Sequence, residues 1–216
     1  MDEPVKSSPG RRQRKAQATR RRVLDAAETL FIRDGYATTT MAVIAEEADV
    51  AVQTVYAVFG TKRAILTELF AVRVVGDDEG TPLRDRRDWQ DMEREVDPRR
   101  QLALLASIAT RIGDRIAALY GVMAGAAGSD PEIADMYRQQ QQARYADQRR
   151  VARSLSRKGA LRSGLSEARA TDIMWAIANP NTHRSLIGER GWATKEYELW
   201  LAQVLISALF EEPARN

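Results

Sequence analysis

The chain is 216 residues long, 44% hydrophobic and 29% charged, with a formal net charge of +3 and no cysteine. This length holds one large domain or two modest ones around a sizeable core, and the missing cysteines exclude disulfides and thiolate chemistry. No run approaches the ~18 apolar residues of a membrane span, and the basic N-terminus has no apolar stretch behind it, so a cytoplasmic chain with no membrane partner is expected.

Charge is unevenly placed. Residues 1–22 hold Lys6, Arg11, Arg12, Arg14, Lys15, Arg20, Arg21 and Arg22 against Asp2 and Glu3, leaving the remainder slightly acidic. A basic arm on a near-neutral body suits contact with a polyanion, and suits a solubilising tail as well. Pro4, Ser7, Ser8, Pro9 and Gly10, without apolar periodicity, predict a flexible arm over 1–17.

A first helix is predicted over 18–34, where Val23, Ala26, Ala27, Leu30 and Phe31 recur at helical spacing and Gly35 stops the run. The second, 41–48, takes Thr40 as its N-cap and buries Met41, Ile44, Ala45 and Ala48, with Asp49 in the turn. The third, 52–58, buries Val52, Val55 and Phe59 and ends at Gly60, and Thr61 caps a fourth that runs to about 76. Two short helices about a tight turn have the layout of a helix-turn-helix, whose second helix enters a DNA major groove. The head is therefore predicted over 18–62, with a linking helix and connector over 63–97.

No Lys or Arg lies between Arg33 and Lys62, while Glu46, Glu47 and Asp49 do. Guanine readout by an arginine is thus unavailable to the third helix. Gln53 suits an adenine edge, Thr54 a base or phosphate, and Tyr56 a phosphate. Arg20, Arg21 and Arg22 are placed to reach phosphates, as are Lys62 and the helix start at Thr40.

Asp97-Pro98 marks a fresh helix start. Apolar residues at 102, 105, 109, 112, 116, 119 and 123 form one stripe. Ser129 and Glu132 resemble a capping box for a helix over 131–158, whose Gln139–Gln142 patch is expected to face solvent over much of its width. Helices near 166–178 and 194–211 follow, with a bent connector at 180–190. The fold is predicted to be all-α with about nine helices: a three-helix head, a body over 98–211 and a tail at 212–216. Ile112, Ile116, Tyr120, Met123, Met136, Tyr137, Trp175, Asn179 and His183 are candidate pocket walls of mixed polarity, though ordinary core packing competes at each. The wide apolar arcs of the last two helices make Ile173, Ile177, Trp200, Leu201, Val204, Leu205, Ala208 and Leu209 candidates for a two-fold four-helix interface. His183 is the single histidine and lacks further ligands at metal spacing. With no glycine-rich phosphate loop or activated nucleophile, neither an enzyme nor a cofactor is expected.

The run Val23-Leu-Asp-Ala-Ala-Glu-Thr-Leu-Phe, then Gly35-Tyr36-Ala-Thr-Thr-Thr40, Ile44-Ala45, Ala48-Asp49-Val50, Thr54-Val55-Tyr56, Phe59 and Lys62 resembles the TetR family of bacterial transcriptional regulators. Asp49 departs from the glycine usual there, in a turn that Asp tolerates. The C-terminal segments Asp172-Ile-Met-Trp-Ala, Asn179-Pro180, Glu189-Arg-Gly-Trp192 and Tyr197-Glu-Leu-Trp200 are more loosely similar to an actinobacterial subset whose effectors are mostly unassigned. The resemblance implies a homodimeric repressor on palindromic double-stranded DNA, released by a small, largely apolar effector, with Thr40, Gln53, Thr54, Tyr56 and Lys62 at DNA-contacting positions. A ligand-independent regulator or an activator on the same fold is the alternative.

Overall fold

The computed structural model describes residues 9–76 and 82–211. The fold is all-α, and no strand occurs among the described residues. The chain divides into two compact units, Met1–Phe70 and Ala71–Asn216. No helix among the described residues is long and apolar enough to cross a membrane.

The first unit holds α1 (Pro9–Asp34), α2 (Met41–Glu47), α3 (Val52–Phe59) and most of α4 (Lys62–Val75). Helix α1 begins well before residue 18. Residues 9–17, expected as part of a flexible arm, are helical, because Arg, Gln, Lys and Ala after Gly10 are good helix formers that need no apolar stripe to take the conformation. The rest of that arm, and the 212–216 tail, lie outside the described residues. Val23, Ala27, Leu30 and Phe31 of α1, Ile44 of α2, Val55 of α3 and Ile65, Leu66 and Leu69 of α4 are fully buried, so four short apolar stripes share one core. Thr40 caps α2 as predicted, its hydroxyl accepting from the Val43 N–H at 3.2 Å. Asp49, with φ of +52°, makes the turn into α3, and is the one described residue other than glycine in left-handed backbone.

The second unit is built on two long helices, α6 (Pro98–Ala126) and α7 (Pro131–Arg157). They are joined by α5 (Arg87–Arg94), α8 (Glu167–Ile177), α9 (Pro180–His183) and α10 (Thr194–Leu209). Helix α10 packs on α6 and α8, α8 on α7, and α5 on α6. Trp89 and Met92 of α5 lie in the same core cluster as Leu102, Leu155, Met174 and Leu205, so the stretch read as a connector is part of the body. Each long helix starts on a proline behind an aspartate cap: Asp97 accepts from Arg99 N–H, and Asp130 from Glu132 and Ile133 N–H. The cap of α7 is therefore Asp130 rather than the Ser129–Glu132 box. After α9 the helix widens into one π-type stretch, Arg184–Glu189, which makes the predicted bend.

Candidate functional site

The first unit presents a face that is exposed, polar and uncharged. Val55 and Phe59 point α3 into the core, and that leaves Gln53 and Tyr56 on the opposite side with Thr54 half-buried between them. Tyr56 is 54% exposed, against 0% for Val55, which settles its face. Thr40 at the start of α2 is exposed as well, and Val43 beside it leaves an apolar side chain in solvent. The side chains available for a base edge are thus an amide, a hydroxyl, a phenol and branched methyl groups.

Two of the cations predicted to reach phosphates have partners within the unit. The Arg20 guanidinium forms a two-pronged ion pair with the Glu68 carboxylate, tying α1 to α4, and lies 4.9 Å over the Phe59 ring. Its pKa is raised, first by the hydrogen bond to Glu68. The Lys62 ammonium donates to the carbonyls of Tyr36 at 2.5 Å and Thr39 at 2.7 Å, with a longer contact to Ala37 at 3.4 Å, and sits 4.3 Å over the Tyr36 ring. An ammonium has three donors, and here all three point into the loop that precedes α2. That loop is fastened from its own side too: Thr39, buried, donates to the Gly35 carbonyl at 2.8 Å, and Tyr36 packs on Phe31 with ring centroids 5.4 Å apart. Neither pairing leaves a mark in the sequence, since the Glu68 carboxylate and the Tyr36 and Thr39 carbonyls lie tens of residues away. Arg21 and Arg22 are exposed, with the Arg22 guanidinium 3.9 Å from Asp49.

In the second unit the candidate pocket residues separate into two groups. Tyr120 of α6 and Tyr137 of α7 face each other with ring centroids 5.2 Å apart, and Trp175 of α8 is linked to them through Arg144, whose guanidinium lies 4.8 Å over the indole. Arg144 also donates to the carbonyls of Trp175 at 2.7 Å and Ala178 at 3.1 Å and to Gln141 at 3.1 Å, while Gln141 donates to the Tyr137 hydroxyl at 2.9 Å. Burial pushes the Tyr120 phenol well above its usual pKa and holds the Arg144 guanidinium below its own. Gln141 is thus part of a half-buried network rather than of a solvated patch. Arg144 was missed in the sequence because a charge at a core-facing position reads as a solvent-facing one. Ile116, Met123 and Met136 are buried and Ile112 is half-buried.

Asn179 and His183 do other work. Asn179 caps α9 by accepting from the Asn181 N–H at 2.9 Å. His183 is buried, with Nε2 2.8 Å from an Asp114 carboxylate oxygen and its ring edge-on to Tyr197 at 5.1 Å. Burial pushes the Tyr197 phenol up to about 12. The His183 ring fits only because residue 113 is glycine: a Cβ there would lie 2.4 Å from Cδ2. No group of three or more metal-ligating side chains occurs among the described residues.

The candidate interface also divides. Leu201, Leu205 and Leu209 are fully buried within their own chain, as the side of α10 that packs on α6 and α8. They cannot meet a second copy. The apolar arc of α10 is wide because one flank is core; Trp200, Val204 and Ala208 remain partly exposed and Leu199 is exposed, and Ile173 and Ile177 of α8 are partly exposed as well.

No curated protein matches the sequence. Solved structures do, at low identity. One is described as a transcriptional regulator from Saccharomonospora viridis in complex with choline: 21% identical, TM-score 0.67, covering 89% of this chain and 98% of that one. A second is the transcriptional regulator FadR from Bacillus subtilis in complex with stearoyl-CoA: 18% identical, TM-score 0.67, covering 88% and 98%. A third is a TetR transcription regulator from Haloarcula marismortui: 16% identical, TM-score 0.65, covering 90% and 100%. At these identities the likeness is one of fold. The segment that builds the helix-turn-helix, residues 23–69, matches the family described as bacterial regulatory proteins, tetR family.

Proposed function

We propose that this chain is a DNA-binding transcriptional regulator of the tetR type: a homodimeric repressor on a palindromic operator, released by a small effector lodged in the body. The observation that carries it is the uncharged set of exposed Thr40, Gln53 and Tyr56 and half-buried Thr54, standing on a core that the family match spans. With no cation on α3, Arg21, Arg22 and the helical basic segment ahead of them supply the phosphate contacts, and Gln53, Thr54 and Tyr56 choose where the dimer settles. Arg20 and Lys62 serve by holding α4 and the α2 entry loop in place.

Two reading heads need a two-fold to set their half-site spacing. The partly exposed flank of Ile173, Ile177, Trp200, Val204 and Ala208 is the surface we assign to it. Structures of similar fold hold choline in one case and stearoyl-CoA in another, which supports an effector site in the body without naming its occupant. Release then follows from an effector that binds the operator-incompetent state more tightly.

Selection from random double-stranded DNA with the purified full chain tests the reading. A palindrome with half-sites about one helical turn apart is expected, with enrichment lost in Gln53→Ala and Tyr56→Ala. Recovery of no preferred sequence would defeat it.

A further inference from the structure

Helix α7 has an unusual inner face. Its inner stripe, at spacings of three and four, runs through Ile133, Tyr137, Gln141, Arg144, Gln148, Val151 and Leu155, with Met136 and Ala152 buried beside it and Tyr137, Gln141 and Arg144 half-buried. Both ends of this stripe are apolar and buried, as packing requires, but the four central positions are polar. An inward polar run in a helical body is costly unless something uses it, because each buried polar atom must find a partner.

Several do not. The Arg144 Nε, the Trp175 Nε1 and the Gln148 Oε1 are buried without a hydrogen-bond partner. Among the described residues, no carboxylate pairs with Arg144. Its contacts are the indole of Trp175, the amide of Gln141 and two carbonyls at the C-terminal end of α8. A helix C-terminus offers roughly half an elementary charge, so α8 balances only part of the cation. Capping α8 therefore accounts for one nitrogen of the guanidinium, and leaves part of its charge unmatched at a half-buried position.

We infer that this cluster is the head-group site for an effector that carries a carboxylate on an otherwise apolar body. Arg144 supplies the charge, the Tyr120 hydroxyl and the Trp175 Nε1–H supply further donors around it, and Met123, Met136 and Ile116, buried on the same two long helices, suit the apolar remainder. A cationic ligand is disfavoured by the same guanidinium. The regulatory meaning of the site rests on the repressor reading above, but its ligand chemistry does not.

Binding is measured on the full chain without DNA, by calorimetry and by thermal shift. Decanoate and benzoate are each compared with decan-1-ol and benzyl alcohol, and decanoate also with decyltrimethylammonium. At least one carboxylate should bind about tenfold or more tightly than its alcohol, with decyltrimethylammonium weakest. Arg144→Gln should erase that preference. Since losing the α8 cap can unfold the body, Tyr120→Phe is a second variant, expected to fold and to lose severalfold in carboxylate affinity alone. Equal or tighter binding of both alcohols, tightest binding of the ammonium, or a preference that survives in both variants overturns the inference. Operator release by the same carboxylate is then read separately: binding without any DNA affinity would sink the regulator reading and leave the site standing.

Discussion

Replacing Lys62 by Met separates a brace from a contact. The side chain keeps most of its apolar stem and loses the ammonium, and with it two short charge-assisted hydrogen bonds at 2.5 and 2.7 Å, a long one at 3.4 Å and a cation–π contact at 4.3 Å. Each such bond contributes about 1.5–3 kcal/mol and the ring contact about 0.5–1. The Tyr36 and Thr39 carbonyls regain water when Lys62 goes, so the net loss should be about 2 kcal/mol. That is roughly a thirtyfold rise in local opening. Hydrogen exchange read by mass spectrometry should show it in amides of residues 35–48. All four tryptophans lie outside the first unit, so intrinsic fluorescence gives an internal control that should not move. Operator affinity should fall because the start of α2 is no longer fixed, yet the dependence of log Kd on log salt should keep its slope, since no donor of Lys62 is left for a phosphate. A slope lower by about 0.9, one phosphate's worth, with exchange in 35–48 unchanged, would refute the brace and restore Lys62 as a contact.

Asp49→Gly should stabilise the first unit by about 0.5–1 kcal/mol, because glycine takes φ of +52° without strain; the 3.9 Å pair with Arg22, fully exposed on the aspartate side, offsets little. Operator affinity should rise uniformly across sequences as a negative charge leaves, and a lowered urea midpoint would contradict this. Val204→Glu and Ile177→Glu should give a folded monomer in sedimentation, whereas Leu205→Glu should fail to fold, since it puts a charge in the core; a folded Leu205→Glu monomer would reverse the placement of the interface. Gly113→Ala should displace the His183 ring, whose Cδ2 lies 2.4 Å from the new methyl, and cost about 1–3 kcal/mol of body stability by thermal unfolding; an unchanged midpoint would mean the ring moves freely.

What the sequence disclosed follows from where each signal resides. Helix periodicity and caps are local, so Thr40, Val55, Gly60 and the proline starts of α6 and α7 could all be read directly. The helical turns over 9–17 escape because a helix built on propensity, with no apolar stripe, leaves no period to read. Burial at Leu201, Leu205 and Leu209 was misassigned for the opposite reason: a stripe shows that a face is apolar, not whether its cover comes from the same chain. Arg20, Lys62 and Arg144 are long cations whose meaning depends on partners tens of residues away, at Glu68, Tyr36 and Trp175. Such pairings have no period at all.

The uncharged exposed side of α3 has an evolutionary consequence. A glutamine codon becomes an arginine codon by one base change, so Gln53 stands a single mutation from a side chain that reads guanine with two hydrogen bonds. Because Gln53 is solvent-exposed, the swap disturbs no packing, and on the proposed reading its descendants could be rewired to new promoters without first repairing their fold.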